Sequence, residues 1–212
     1  MSFRLRMLLD NLEENYGDPD FKRSVRDLLA ATAERLEGIA ERFQAHEDAV
    51  LVKILLDANE VLRAVAGAAT AGRSRGRATT ALPSLALALG SLPDIWADPD
   101  YLQDAFASLL DNALEAAGPR GKVVVRSFVS SERGRARATV DFIDNGQGMS
   151  PEFVRERLKS PYGTTKHNGV GLGLYTAARI VRYHRGTVRI LSAPGGGTVV
   201  RLAFPAAKPA EL

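Results

Sequence analysis

At about residue 47 the hydrophobic period of this chain changes, so two kinds of structural unit must share one polypeptide. Before that point Leu5, Leu9, Leu12 and Tyr16 recur at alternating spacings of four and three, which places them on one stripe of a helix over residues 2–16. The stretch "YGDPD" ends it, with Gly17 suited to a left-handed C-cap and Pro19 unable to continue the ladder. Over residues 21–43 a second apolar series follows, Val25, Leu29, Thr32, Leu36, Ile39 and Phe43, at heptad-like spacing, while Arg23, Arg26, Glu34, Arg35 and Glu41 fall off the seam. An antiparallel hairpin with one stripe per helix cannot bury both stripes alone. A second copy of the chain, forming a four-helix bundle about a two-fold axis, is the expected partner; packing onto the rest of the chain is the alternative.

After residue 47 the pattern is mixed α/β. "VLVKILL" reads as a buried strand and "ANEVLRAVAGAA" as a helix, with "TAGRSRGRATT" as a loop. "SLALALG" and "DIWA" read as strands. "DPDYLQDAFASLLDNALEAA" is a helix with Asp98 as N-cap, Pro99 in the first turn, and Leu102, Phe106, Leu109, Leu110 and Ala113 on one face. "KVVVRSFV" and "ARATVDFID" alternate with period two around "SSERGR", a hairpin. "YTAARIVRYHR" is a helix, "GTVRILSA" and "GTVVRLAF" form a closing hairpin about "PGGG", and the tail "PAAKPAEL" is expected to fray. The resulting division is 1–47 for the hairpin, 48–206 for the α/β domain and 207–212 for a disordered tail.

Composition excludes several classes. With 45% hydrophobic and 25% charged residues the chain can fold, unlike a disordered segment. No apolar run approaches the roughly 18 to 20 residues that span a bilayer, and "MSFRLRMLLD" is charged too early for a secretory signal, which predicts a soluble, cytoplasmic portion. The absence of cysteine removes disulfides and thiolate metal sites. A net charge of +3 argues against a nucleic-acid footprint; "GRSRGR" at 72–77 is read as a solvated loop, with salt-sensitive retention on DNA as the observation that would revive the other reading.

Two glycine clusters carry the chemistry. In "NGVGLGLYTAARIV", Gly169, Gly171 and Gly173 open an apolar helix, where missing side chains and free first-turn amides suit an anion, although a tightly packed glycine-rich turn would read the same way. The pattern is neither a P-loop nor a dinucleotide fingerprint. In "DNGQG", Asp144 ends an apolar strand and Gly146 and Gly148 let a flat ligand lie on the backbone. A buried aspartate accepting from an exocyclic amine is a sensible way to read adenine. Asn112 in "SLLDNALEAA" offers an amide oxygen suited to Mg²⁺, which takes few protein ligands beside phosphate oxygens and water. Lys166 adds a point charge for phosphate just before the second cluster.

Taken together these motifs resemble the ATP-binding domain shared by sensor histidine kinases, DNA gyrase, heat-shock chaperones and MutL repair proteins. "LLDNALEAA" looks like its N box, "DNGQGM" its first glycine box, "GVGLGL" its second, "SPYGTTK" a degenerate F box and "GGGTVVRLAFP" its final hairpin, in family order over roughly residues 90–205. The "GLGLYTAARIV" form points to the kinase branch, and the preceding hairpin is placed like the kinases' dimerisation and phosphoacceptor hairpin. The resemblance implies a two-layer α/β sandwich with a mixed sheet. It also implies Asp144 on the adenine amine, Asn112 on Mg²⁺, Lys166 and the amides of Gly169, Gly171, Leu172 and Gly173 on the ATP phosphates, with Gly146, Gly148 and Thr198 beside the base and residues 149–168 as the lid. The implied protein is a kinase that passes the γ-phosphoryl of ATP to a histidine and on to a response regulator, with a parent protein able to be membrane-associated.

Two departures stand out. Ser108 lies where hydrolytic members carry a glutamate and many kinases an asparagine, one turn before Asn112, and a serine cannot activate water as a carboxylate does. The first helix contains no phosphoacceptor histidine: the chain has only His46, His167 and His184, each read as a surface or locally bonded residue. The resemblance accounts for this as a chain beginning just after its acceptor box. That absence also keeps a second reading open, a nucleotide-gated protein that sequesters a partner without kinase activity.

Overall fold

The structure is a computed structural model that describes residues 18–23, 25–26, 52–75, 82–159 and 173–207. The chain divides into two compact units, Met1–Leu51 and Val52–Leu212. In the first, residues 19–23 and 25–26 are helical. Asp18 starts that helix, its Oδ1 accepting Asp20 N at 2.9 Å and its carbonyl accepting Lys22 N at 3.0 Å, so Pro19 stands inside the first turn, where its missing N–H is not needed. The helix therefore begins two residues before the expected 21. The remainder of the expected hairpin, the dimer seam and His46 lie outside the described residues.

The second unit runs β1 (Ile54–Leu56), α1 (Ala58–Arg75), β2 (Ser84–Leu89), β3 (Ile95–Ala97), α2 (Pro99–Ala117), β4 (Lys122–Glu132), β5 (Arg135–Asp144), α3 (Pro151–Lys159), α4 (Gly173–Tyr183), β6 (Thr187–Ser192) and β7 (Thr198–Pro205). β1 pairs antiparallel with β3, with Leu55 opposite Trp96. The main sheet has the order β2-β4-β5-β7-β6; β2 and β4 are parallel and the other pairs antiparallel. It is the mixed sheet of a two-layer α/β sandwich.

Helix α2 forms where the sequence signals it. Asp98 caps it through Oδ1, which accepts Asp100 N at 3.1 Å and Tyr101 N at 3.3 Å, and Gly118 ends it with its N–H on the Leu114 carbonyl. Leu102, Ala105, Phe106, Leu109, Leu110, Ala113 and Leu114 recur every three or four residues and are all buried. Phe106 meets Phe142 of β5 at a ring-centroid distance of 5.8 Å and Phe204 of β7 edge-on at 6.4 Å, which fastens the helix over the middle of the sheet. Each such fully buried aromatic contributes about 1.5–3 kcal/mol through area alone.

Several boundaries differ from expectation for local reasons. Of the described part of "VLVKILL", residues 52–56, only Ile54–Leu56 is strand, and Val52 N is donated to Asp98 Oδ2 at 2.9 Å instead of to a neighbouring strand. α1 runs on to Arg75, so the first part of the expected loop is helical. The hairpin turn shrinks from "SSERGR" to Arg133–Gly134, with φ of 52° and 74°, the signs of a primed two-residue turn that leaves the flanking residues paired. Ala206 N and Ala207 N donate to Ala136 and Asp94 carbonyls, which orders two residues of the stretch expected to fray.

Candidate functional site

Beside Asp144, the last residue of β5, lies a cavity of about 340 Å³. Leu109, Asn112, Ala113 and Ala116 of α2 form one wall, Phe142, Thr198 and Val200 belong to the sheet, and the Gln147–Ser150 segment with Phe153 and Leu174 completes the lining. Apolar groups surround a single acid, as a site for a flat base with one polar edge requires.

Asp144 is 8% exposed. Its Oδ1 accepts Gly146 N at 2.8 Å, closing a tight turn after the strand. Burial pushes its carboxyl above the usual range, and bonds from the Gly146 and Thr198 amides act the other way without cancelling it. The following loop is fixed by the β6–β7 hairpin: Gly195 N donates to the Gln147 carbonyl at 2.7 Å and Met149 N to Ser192 Oγ at 2.8 Å. Gly148 has φ of 67°, and a Cβ there would overlap the Ala193 carbonyl, so only glycine serves. Ser150 then starts α3, its Oγ accepting Phe153 N at 3.2 Å, which brings Phe153 over the cavity.

The other end of the site is set by Gly173. A Cβ there would stand 2.5 Å from Ser108 Oγ and 3.0 Å from Asn112 Nδ2, so the first residue of α4 sits directly on the two polar residues that α2 presents one turn apart. No acidic side chain occupies the first turn of α4. Its positive end favours an anion next to Asn112. Gly173→Ala is expected to displace the Asn112 amide and weaken binding of ATP, the ligand that the motif resemblance implies, about tenfold, with a melting temperature close to the wild type, because alanine suits a helix start. Calorimetry beside a thermal melt checks it, and unchanged affinity would remove Asn112 from the site.

Of the residues singled out in the sequence, the structure brings Asn112, Asp144, Gly148 and Thr198 onto one cavity, with Gly146 bonded to Asp144 and Gly173 packed on Asn112. Lys166, Gly169, Gly171, Leu172 and His167 lie outside the described residues. His184 is not at the surface: it is 3% exposed, with Nδ1 2.7 Å from the Ile180 carbonyl and Nε2 accepting Asp98 N. Sequence reasoning took in Met149 and Phe153 only as part of the expected 149–168 lid and singled out none of Gln147, Leu174, Val200 or the pin Ser192; Leu174 carries a signal in its helical spacing, whereas Ser192 carries none. Among the described residues no cluster of three or more His, Asp or Glu could hold a metal ion. A cation at Asn112 would thus depend on phosphate oxygens for most of its ligands, which fits Mg²⁺ arriving with a nucleotide.

Residues 97–208 match the profile of the histidine kinase-, DNA gyrase B-, and HSP90-like ATPase family. The sensor histidine kinase ZraS of Escherichia coli (strain K12) is 36% identical over 115 residues, 54% of this chain and 24% of that protein. The sensory histidine kinase/phosphatase NtrB of Rhizobium meliloti (strain 1021) is 31% identical over 210 residues, 93% of this chain and 53% of its own length. The chain thus spans between about a quarter and about half of these curated relatives. Among solved structures, histidine kinase ThkA in complex with response regulator protein TrrA superposes with a TM-score of 0.68 at 19% identity, covering 96% of this chain and 57% of that one, a likeness of fold. With the profile covering more than half the chain and the cavity built on its motif residues, the chain belongs to the histidine kinase-, DNA gyrase B-, and HSP90-like ATPase family.

Proposed function

We propose that Val52–Leu212 binds ATP and acts as the catalytic portion of a two-component sensor histidine kinase, moving the γ-phosphoryl to a histidine and thence to a response regulator. The observation that carries the reading is a cavity that holds a buried Asp144 at one end and, at the other, Asn112 against the start of α4, whose first turn carries no acidic side chain. Asp144 accepts from the adenine amine, and Met149, Phe153 and Leu174 exclude water around the base. Asn112 is the protein ligand offered to Mg²⁺, whose role when bound is to neutralise phosphate charge. Lys166, Gly169, Gly171 and Leu172 complete the phosphate contacts.

Phosphoryl transfer of this kind asks the protein for alignment and charge neutralisation more than for covalent chemistry. Ser108 offers no carboxylate to activate water, which favours transfer over hydrolysis. His184 is not the acceptor, since both its ring nitrogens are engaged in a buried site. We take the acceptor to be presented by a helical hairpin, the chain to pair with a second copy through the residue 2–16 and 21–43 seams, and the work to be done in the cytoplasm, where ATP is. No described helix is long and apolar enough to cross a membrane.

Calorimetric titration with ATP, with and without magnesium, tests the reading. Micromolar binding that tightens with magnesium is the expected result. Absence of binding under both conditions would sink it, and the nucleotide-gated alternative with it.

A further inference from the structure

One imidazole joins the end of α4 to the start of α2. His184 Nδ1 lies 2.7 Å from the Ile180 carbonyl oxygen, and its Nε2 lies 3.0 Å from Asp98 N. A carbonyl can only accept, so Nδ1 carries the proton; a backbone N–H can only donate, so Nε2 is bare. The two partners thus fix one neutral tautomer. Asp98 is itself a junction, because Oδ1 caps α2 while Oδ2 accepts Val52 N at 2.9 Å, the first residue of the unit. Next to it, Lys53 Nζ donates to the Tyr183 carbonyl, the last residue of α4, at 2.7 Å.

The far ends of the same two helices meet at the candidate site, where Gly173 rests on Ser108 and Asn112. By helical rise, Asn112 is about 21 Å along α2 from Asp98, and Gly173 about 16 Å along α4 from His184. Between these two ends the helices pack against each other along their length, so the spacing at His184 and the spacing at Gly173 belong to one continuous interface. A change in their separation at His184 alters the distance between Asn112 and the amides of α4 at the other end.

We propose that His184 is a positioning residue for the nucleotide site, a bridge that sets the spacing of α2 and α4 and links it to the point where the chain enters the unit. This rests on the ATP-binding reading above. The ring touches no nucleotide and acts through Asp98 and Ile180. The charged groups acting on it are Asp98 before α2 and Lys53 before β1, and Asp98 in turn acts on Tyr101 of α2, which also feels Asp104 and Tyr183. Protonation at Nε2 sets an N–H against the Asp98 N–H and opens the bridge. Burial, aided by the Lys53 charge, holds the ring neutral against the opposing pull of the Ile180 carbonyl and Asp98, so opening belongs to pH below the ordinary histidine range.

The test is titration of the full chain with ATP and magnesium at neutral and stepwise lower pH, for wild type, His184→Asn and His184→Gln. Asparagine reaches the Ile180 carbonyl but stops short of Asp98, whereas glutamine extends an oxygen to about where Nε2 lies. His184→Asn is expected to bind ATP about tenfold more weakly, and His184→Gln within about twofold of wild type. Wild type should also lose affinity on acidification along a limb that His184→Gln lacks. Folded His184→Asn binding like wild type, or superimposable pH profiles for wild type and His184→Gln, overturns the proposal; should His184→Asn fail to fold, the pH comparison decides alone. Absence of ATP binding by the wild type sinks the functional reading and this inference with it, whereas the other negative outcomes sink this inference only.

Discussion

Asp144→Asn is expected to abolish measurable ATP binding while raising the melting temperature of the ligand-free chain. The asparagine is nearly isosteric and its oxygen can keep the Gly146 N–H, so the turn after β5 survives. What changes is the group facing the cavity: an acceptor becomes an NH₂ donor, and an adenine amine, also a donor, then meets it head-on. Losing a charge-assisted bond and leaving buried donors unpaired lowers affinity by about 100-fold or more. The stability effect has the opposite sign. Because burial raises the folded-state pKa of Asp144, holding it ionised destabilises the fold, and stability falls as pH rises through the range between the unfolded and folded pKa values. Asparagine removes that penalty, a trade of stability for function common at binding sites. Wild-type ATP affinity should fall on acidification from a higher pH than an ordinary aspartate would give, and any binding left in Asp144→Asn should lack that limb. Calorimetry and thermal melts across pH check both signs; undiminished affinity in the variant would remove Asp144 from the base site.

The legible parts of this molecule are those where one residue type has one physical use. Asp98 followed by Pro99 can only sensibly begin a helix, and the three-and-four spacing from Leu102 to Ala113 can only face a sheet, so α2 and its polar Asn112 were readable. Asp144 was readable because an acid at the end of an apolar strand, followed by glycines, is costly to bury unless a ligand comes to meet it. Helix α3 was not, since "PEFVRERLK" is polar and its start is decided by a serine bond to Phe153 that composition does not advertise. His184 was half legible: read as a surface or locally bonded residue, it does bond the Ile180 carbonyl one turn back, but only the fold brings Asp98, 86 residues away, onto its ring and buries it. β1 starts at Ile54 rather than at Val52, and an apolar run does not reveal that a distant carboxylate has taken the Val52 amide.

On the sheet face turned away from the helices, Asp141→Ala should cost about 2–3 kcal/mol of stability and leave ATP affinity unchanged. Cross-strand register places Arg126 and Arg201 directly opposite Asp141 on its two sides. Arg201 Nε donates to Oδ1 at 2.7 Å and Nη2 to Oδ2 at 2.8 Å, while Arg126 Nε and Nη2 reach Oδ2 at 2.8 and 2.7 Å. Both guanidinium carbons lie 5.3 Å from the centroid of the Phe128 ring, so the cations are held by an aromatic as well as by the acid. The carboxylate is fully buried. Removing it leaves two like charges side by side, the situation in which breaking a buried pair is most damaging; the half-exposed arginines recover some hydration, which holds the loss below the roughly 3–5 kcal/mol of a wholly buried pair. Burial alone would raise the Asp141 pKa, but the bonds from Arg201 and Arg126 and their charges outweigh it and hold the group below the usual carboxylate range. Its stabilising contribution is therefore fully present above the unfolded-state pKa and is lost as pH falls through the folded one. Asp141→Asn should flatten that acid limb of the stability curve, and equal acid sensitivity in wild type and variant would overturn the assignment. Since Phe142 and Asp144 line the candidate cavity on the other face, a variant here that lost ATP binding without losing stability would mean that the sheet transmits between its two faces.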